Sequence, residues 1–277
     1  MVILDGKKLS SKIKEEIKFE LDTYESVPCL AVITIGDDEA SKIYVNNKKK
    51  ACEQVGIGFI HIDYADSVEE KKVISKIHEL NRDKNVSGIL LQLPIPERFD
   101  ERRILNEISY LKDVDGLTDL SIGKQNYEDA LFIPCTAKGI IEILNNYNIE
   151  ISSKNVVVVG RSNLVGKPIS RECLKRNATV TICHSKTNDL SSYTKNADIL
   201  IVACGKKHII EKSMVKKDSV IIDVGMNKID GVLYGDVDPN VDEVCSYRTP
   251  VPGGVGPMTV AMLLKNTLIA FRKQKGL

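Results

Sequence analysis

The chain has 277 residues, 43% of them hydrophobic and 28% charged, with a formal net charge of +1. That length supports one large or two modest domains with real cores, and the near-neutral balance creates no long-range field for nucleic acid or an anionic membrane. No apolar run approaches the roughly 18 residues of a membrane span, and MVILDGKKLSSKIKEE turns polar too early for a signal peptide.

Leu9, Ile13, Ile17 and Leu21 recur every four residues and predict an amphipathic helix. LAVITIG, Leu30 to Gly36, is a short apolar run closed by glycine, a buried strand. A helix is expected from about Ser41 until Gly56 stops it. FIHIDY, Phe59 to Tyr64, alternates as a second strand, and Ser67 with Glu70 spells a capping box for a third helix. GILLQLPIP, Gly88 to Pro96, is a strand that must end at its prolines.

In the second half KGIIEILNNY reads as a helix, NVVVVG as a strand and the segment after Pro168 as a helix. ATVTICHS, ADILIVACG and SVIIDVG (Ser219 to Gly225) follow as strands. A last helix is expected from about Met258 to Lys273, after a glycine- and proline-rich loop. Strands separated by crossover helices predict an α/β fold with mostly parallel sheets covered on both faces. The loop-rich segment from Asp113 to Pro134 is the natural boundary between two α/β units. Seven cysteines (Cys29, Cys52, Cys135, Cys173, Cys183, Cys204 and Cys245) are scattered singly, without metal spacing. They read as small buried hydrophobes in a reducing compartment, so a cytoplasmic protein without a metal centre is expected.

The stretch NVVVVGRSNLVGKPIS, Asn155 to Ser170, carries the first chemical signal. Five residues separate Gly160 from Gly166, and Lys167 is followed by Pro168. A triphosphate-binding loop needs a shorter glycine spacing and a hydroxyl after the lysine to hold magnesium, so that reading fails. A buried strand feeding a glycine turn and then a helix suits a dinucleotide, whose pyrophosphate would meet N–H groups at the helix start. Ser162 replaces the second glycine of the usual fingerprint, so spacing alone leaves a plain strand-to-helix turn equally open. The next strand ends in His184, Ser185 and Lys186, with no carboxylate for a ribose 2′-OH, and Arg161 could pair with a 2′-phosphate. A missing acid and an added base favour NADP over NAD; otherwise Arg161 is a surface residue and His184 a strand-end histidine.

GRSNLVGKP, ATVTICHSKT, IIDVG, GDVD and above all TPVPGGVGPMT (Thr249 to Thr259) resemble the methylenetetrahydrofolate dehydrogenase/cyclohydrolase family. SKIYVNNKKKACEQVGI, GILLQLPIP, KDVDGLT and PCTAKG continue the match, in collinear order over essentially the whole chain. The resemblance implies an N-terminal α/β catalytic domain (1–118 with a returning C-terminal helix, 258–277) and a Rossmann-type cofactor domain (119–257), with a cleft between them. It implies NADP-dependent oxidation of 5,10-methylenetetrahydrofolate to 5,10-methenyltetrahydrofolate and hydrolysis of that product to 10-formyltetrahydrofolate. It also implies a homodimer acting on tetrahydrofolate derivatives.

Tyr44 and Lys48 lie four apart, on one face of a helix. Lys48 to Lys50 alone would read as a solvated basic face, but the resemblance places Tyr44 and Lys48 on the family's YxxxK motif. Lys48, its pKa lowered by burial, would then shuttle the proton of hydrolysis, with Tyr44 orienting the lysine and the folate ring. By the same resemblance Gln92 contacts the lysine, and Asp115, in KDVDG, accepts hydrogen bonds from the pterin ring. Read without the family, Gln92 is an amide on a buried strand and Asp115 a turn residue, and one such turn makes no EF-hand calcium site. Leu93, Pro252, Gly253 and Gly254 complete the implied substrate set. Gly160, Arg161, Ser162, Val165, Gly166, His184, Ser185, Cys204 and Gly205 form the implied cofactor set. Hydride passes directly from folate to nicotinamide, so dehydrogenation asks mainly for alignment, and the glycines of Pro250 to Pro257 let that loop approach both ligands.

Two positions depart from the family pattern: Ala137 stands where proline is usual, and Pro239 where an aromatic is usual. Three other functions fit less of the sequence. They are a dehydrogenase without hydrolysis, a shikimate-type NADP dehydrogenase, and a catalytically silent nucleotide-binding protein.

Overall fold

The computed structural model describes residues 1–127 and 130–277; Glu128 and Asp129 of the expected connecting segment lie outside the described residues. In chain order the elements are β1 (Val2–Ile3), α1 (Gly6–Leu21), β2 (Cys29–Ile35), α2 (Glu39–Val55), β3 (Gly58–Tyr64), α3 (Glu70–Arg82), β4 (Gly88–Leu91), α4 (Glu101–Asn106), α5 (Asp119–Lys124) and α6 (Cys135–Asn146). Then come β5 (Asn155–Val159), α7 (Gly166–Lys175), β6 (Thr179–Cys183), α8 (Leu190–Thr194), β7 (Ile199–Val202), β8 (Val220–Asp223), β9 (Asn227–Ile229), β10 (Val232–Tyr234), β11 (Tyr247–Arg248) and α9 (Val255–Lys275).

Two compact units result, one of Met1–Ser10 with Thr136–Thr259 and the other of Ser11–Cys135 with Val260–Leu277. This division differs from the boundaries 118 and 258: the first ten residues, the segment 119–135 and residues 258–259 change sides. The reason at the N-terminus is backbone pairing, since β1 runs parallel to β11 at the edge of the larger sheet.

In the Ser11–Cys135 unit β3, β2 and β4 form a parallel sheet in that order. The apolar residues of β2 and β4 pack on Val73, Ile77 and Leu80 of α3, whose i, i+4, i+7 spacing aims one stripe at the sheet. The other unit holds a parallel sheet of order β1-β11-β8-β7-β5-β6 and the hairpin β9–β10. Chain order reverses at β5, with β6 on one side and β7 on the other, which creates the crevice where open α/β sheets take ligands.

Local chemistry sets most boundaries. Asp38 caps α2 by accepting from the Ser41 N–H, so the helix starts ahead of Ser41, and Gly56 closes it with a left-handed backbone. The Ser67–Glu70 capping box does not form: Glu70 opens α3 after Glu69, which makes no side-chain cap. The Glu70 carboxylate is instead engaged by Arg103, at 3.2 Å, and by the Asp100 N–H, at 3.4 Å. The segment after Asp113 also contains more helix than its composition suggests, because Thr118 caps α5 through the Ser121 N–H. Pro239 begins a short 3₁₀ turn capped by Asp238, a place where its missing N–H costs nothing.

Of the buried polar atoms without a hydrogen-bond partner among the described residues, one whole amide stands out. The Gln125 side chain is fully buried, and neither its Oε1 nor its Nε2 has a partner among the described residues. An unsatisfied buried amide costs about 1–3 kcal/mol, so Gln125→Met, of similar length, is expected to stabilise the fold by that amount. Urea unfolding of both proteins checks it, and an unchanged or lowered midpoint refutes it.

Candidate active site

Lys48 stands in the middle of α2, which buries Val45, Cys52 and Val55 and leaves the lysine half-buried beside that face. Its Nζ donates to Gln92 Oε1 at 2.5 Å. The Gln92 amide is oriented by its own Nε2, which donates to Leu93 O at 2.7 Å, so the oxygen faces the lysine. Gln92 follows the last residue of β4, at the C-terminal end of a parallel strand. A cavity of about 280 Å³ opens beside Gln92 and Pro94, lined also by Thr34, Gly36, Val45 and Lys49. Tyr44, one turn before Lys48, is 38% exposed, and partial burial raises its phenol above the ordinary pKa.

The KDVDG turn divides its two acids between scaffold and site. Asp113 is buried, and its carboxylate accepts from the N–H groups of Gly116, Leu117 and Thr118 and from Ser121 Oγ at 2.6 to 3.2 Å. Asp113 therefore wires the turn, and Asp115 is left to face Lys48. Burial pushes the Asp115 carboxyl up, while the Lys48 charge and hydrogen bonds from the Cys135 thiol and N–H pull it down. Burial likewise pushes Lys48 below the usual lysine range, opposed by Asp115. Burial drives both groups toward their neutral forms and each holds the other back, so the two titrations are coupled.

The glycine turn lies in the other unit. Gly160 has φ +132°, a Cβ there would overlap Ala203 O, and a Cβ on Gly166 would overlap Gly160 O, so both positions need glycine. At the helix start, where a pyrophosphate is expected, the N–H groups have partners within the turn. Ser162 Oγ accepts from the Val165 and Gly166 N–H groups, Ser162 O accepts from Lys167, and Pro168 has no N–H. The N–H groups without a described partner belong instead to residues 161–164, on the loop before α7. Arg161 is exposed and makes no ion pair among the described residues.

At the end of β6 the Lys186 N–H donates to His184 Nδ1 at 3.2 Å, and Ser185 is exposed. The next acid, Asp189, is engaged at the start of α8 with Ser192. Between the end of β6 and Asp189 the described residues include no carboxylate for a ribose hydroxyl, which suits a dinucleotide that carries an extra phosphate. Cys204 and Gly205 follow β7, and Pro252, Gly253 and Gly254 lie between β11 and α9. Lys48, Gln92, Leu93 and Asp115 are thus assembled within one unit, and the implied cofactor residues within the other. Among the described residues no group of His, Cys, Asp and Glu could hold a metal ion, and no helix is long and apolar enough to cross a membrane.

The tetrahydrofolate dehydrogenase/cyclohydrolase catalytic domain matches residues 4–115, and the NAD(P)-binding domain of the same family matches residues 134–275. The chain belongs to this family. A relative from Caldanaerobacter subterraneus, "Bifunctional protein FolD", is 46% identical over 98% of this chain and 97% of its own. The crystal structure of the bifunctional FolD enzyme from Campylobacter jejuni has a TM-score of 0.96 at 44% identity, covering 99% of each chain. The Trypanosoma brucei dehydrogenase-cyclohydrolase, solved with NADP and an inhibitor, has a TM-score of 0.96 at 32% identity and covers 100% of this chain and 99% of that one.

For a tetrahydrofolate dehydrogenase/cyclohydrolase, the sequence left one contributor to the lysine site unread. Cys135 passes for a buried hydrophobe, yet it opens α6 and bonds to Asp115 through both its thiol and its N–H. Its place directly after Pro134, at a helix start, was the available signal.

Proposed function

We propose that this enzyme oxidises 5,10-methylenetetrahydrofolate with NADP to 5,10-methenyltetrahydrofolate and hydrolyses the product to 10-formyltetrahydrofolate. The hydrolytic half is carried by one observation: a half-buried Lys48 hydrogen-bonded to Gln92 and interacting with a half-buried Asp115. The unit with β2, β3 and β4 takes the folate, and the unit with the six-stranded sheet takes the cofactor. The assembly proposed is a homodimer, which sedimentation equilibrium checks.

Bound NADP would supply the acceptor for a hydride from the folate methylene carbon. Arg161 would pair with its 2′-phosphate, and the N–H groups of residues 161–164 would receive phosphate oxygens. Asp115 accepts hydrogen bonds from the pterin ring, and Tyr44 supports the ring by stacking. For hydrolysis, neutral Lys48 takes a proton from water as the water oxygen bonds to the methenyl carbon. The bond from that carbon to N5 then breaks, N5 takes up a proton from the Lys48 ammonium, and a second proton leaves as the formyl carbonyl forms. One proton is released per turnover. Gln92 keeps Nζ aimed along this path in both charge states.

Methylenetetrahydrofolate with NADP, followed for NADPH and methenyl intermediate together, tests the reading in wild type and Lys48→Met. NADPH with little methenyl build-up in wild type, and build-up in the variant, supports both activities. Equal build-up in both leaves a dehydrogenase only, and no NADPH refutes the assignment.

A further inference from the structure

The motifs IIDVG and GDVD have no role in the chemistry above, yet they form the most heavily hydrogen-bonded acidic cluster of the six-stranded unit. The Asp236 side chain is fully buried. Its Oδ2 accepts from the N–H groups of Cys204 and Gly205 at 2.8 and 3.0 Å. Its Oδ1 accepts from the Lys206 N–H at 2.8 Å and from Asn227 Nδ2 at 2.9 Å. Asp236 is held in turn by Asp223, whose carboxylate accepts from the N–H groups of Gly225, Asp236 and Val237. A Cβ on Gly235 would collide with that carboxylate, which accounts for the glycine of GDVD. Tyr234, at the end of β10, adds a second tie, since the Lys207 ammonium lies 3.4 Å from its ring centroid.

The loop gripped in this way leaves the C-terminal end of β7, and Ala203 touches Gly160 across the crevice. The two loops beside that crevice therefore have opposite polarity. After β5, the N–H groups of residues 161–164 are available to an anion. After β7, the N–H groups of residues 204–206 are consumed by a carboxylate, so the backbone of Cys204 and Gly205 has only carbonyl oxygens to offer.

Resting on the cofactor site proposed above, we infer that Asp236 is a positioning residue for the dinucleotide: it fixes the 204–206 loop in the carbonyl-out form that receives the cofactor, and so sets which end of the crevice takes the phosphates. Asp223 and Asn227 act through Asp236.

Asp236→Asn keeps the size but turns an amide N–H₂ toward donors whichever way it is flipped. Losing one charge-assisted hydrogen bond corresponds to roughly a tenfold or greater change in an equilibrium. NADP titrated calorimetrically into the full chain is expected to bind at least about tenfold more weakly in the variant. Amide hydrogen exchange at residues 204–206 is expected to accelerate by a similar factor, while cofactor-free hydrolysis of methenyltetrahydrofolate stays within about twofold. Unchanged NADP binding with unchanged exchange overturns the inference. If Asp236→Asn does not fold, Asn227→Ala decides: it removes one of the four clamping bonds, and NADP affinity should fall by about two- to fivefold, an unchanged value refuting the clamp. Wild type that binds no NADP refutes the cofactor site itself, a separate outcome.

Discussion

Lys48→Met is expected to slow methenyltetrahydrofolate hydrolysis by about 10²–10⁴-fold, the usual worth of a positioned acid–base group, while NADPH production continues. Methionine fills much of the lysine's path without a proton to exchange, and Gln92 Oε1 loses its donor. Asp115 also loses the charge that holds its carboxyl down, so it protonates more readily. A weaker grip on the pterin ring follows, read as a raised KM for methylenetetrahydrofolate with kcat of oxidation nearly unchanged. The pH dependence has a definite sign. Hydrolysis uses neutral Lys48, so its rate rises with pH, and burial moves the plateau below the 10.5 of an ordinary lysine. Asp115 opposes that shift, so Asp115→Asn should move the limb of the kcat profile to still lower pH. A limb that stays in place in Asp115→Asn, or moves upward, removes Asp115 from the proton balance.

Arg161→Ala carries the second large effect, on cofactor choice. A guanidinium on a phosphate is worth about 1.5–3 kcal/mol, so the KM for NADP should rise roughly 10- to 150-fold while that for NAD changes little. Arg161 is suited to this because no described acid competes for it and the β6 end presents His184, Ser185 and Lys186 in place of a carboxylate. Arg161→Lys should recover only part of the loss, since a single ammonium cannot make the forked contact. Parallel losses for NADP and NAD would place the arginine elsewhere on the cofactor.

Most of the architecture was legible because hydrophobic period reports burial directly. The valines of β5, the isoleucines of β7 and β8 and the four-residue spacing of α1 each place their element within a few residues. What escaped was decided by contacts distant in sequence. The side chain of Glu70 engages Arg103 and Asp100 instead of capping its own helix. The two-residue strand β1 exists only because β11 lies beside it, and the hairpin of β9 and β10 is too short to show a period. At the glycine turn, sequence spacing could not show that Ser162 Oγ accepts from the Val165 and Gly166 N–H groups at the start of α7.

By itself the sequence determined the alternation of strands and helices, the family through its long collinear motifs, and the residue types on which chemistry could rest. Those are properties of local pattern and of identity, which a chain carries without being folded. The resemblance had marked Asp115 of KDVDG, but only tertiary structure showed that Asp113 builds the turn and that Asp115 interacts with Lys48. It alone brought Cys135 to Asp115 and closed Asp236 over the loop after β7. The physical reason is common to all three: a carboxylate's task depends on how many donors converge on it and how much water is removed. Both are set by elements that meet across the fold, not by neighbours along the chain.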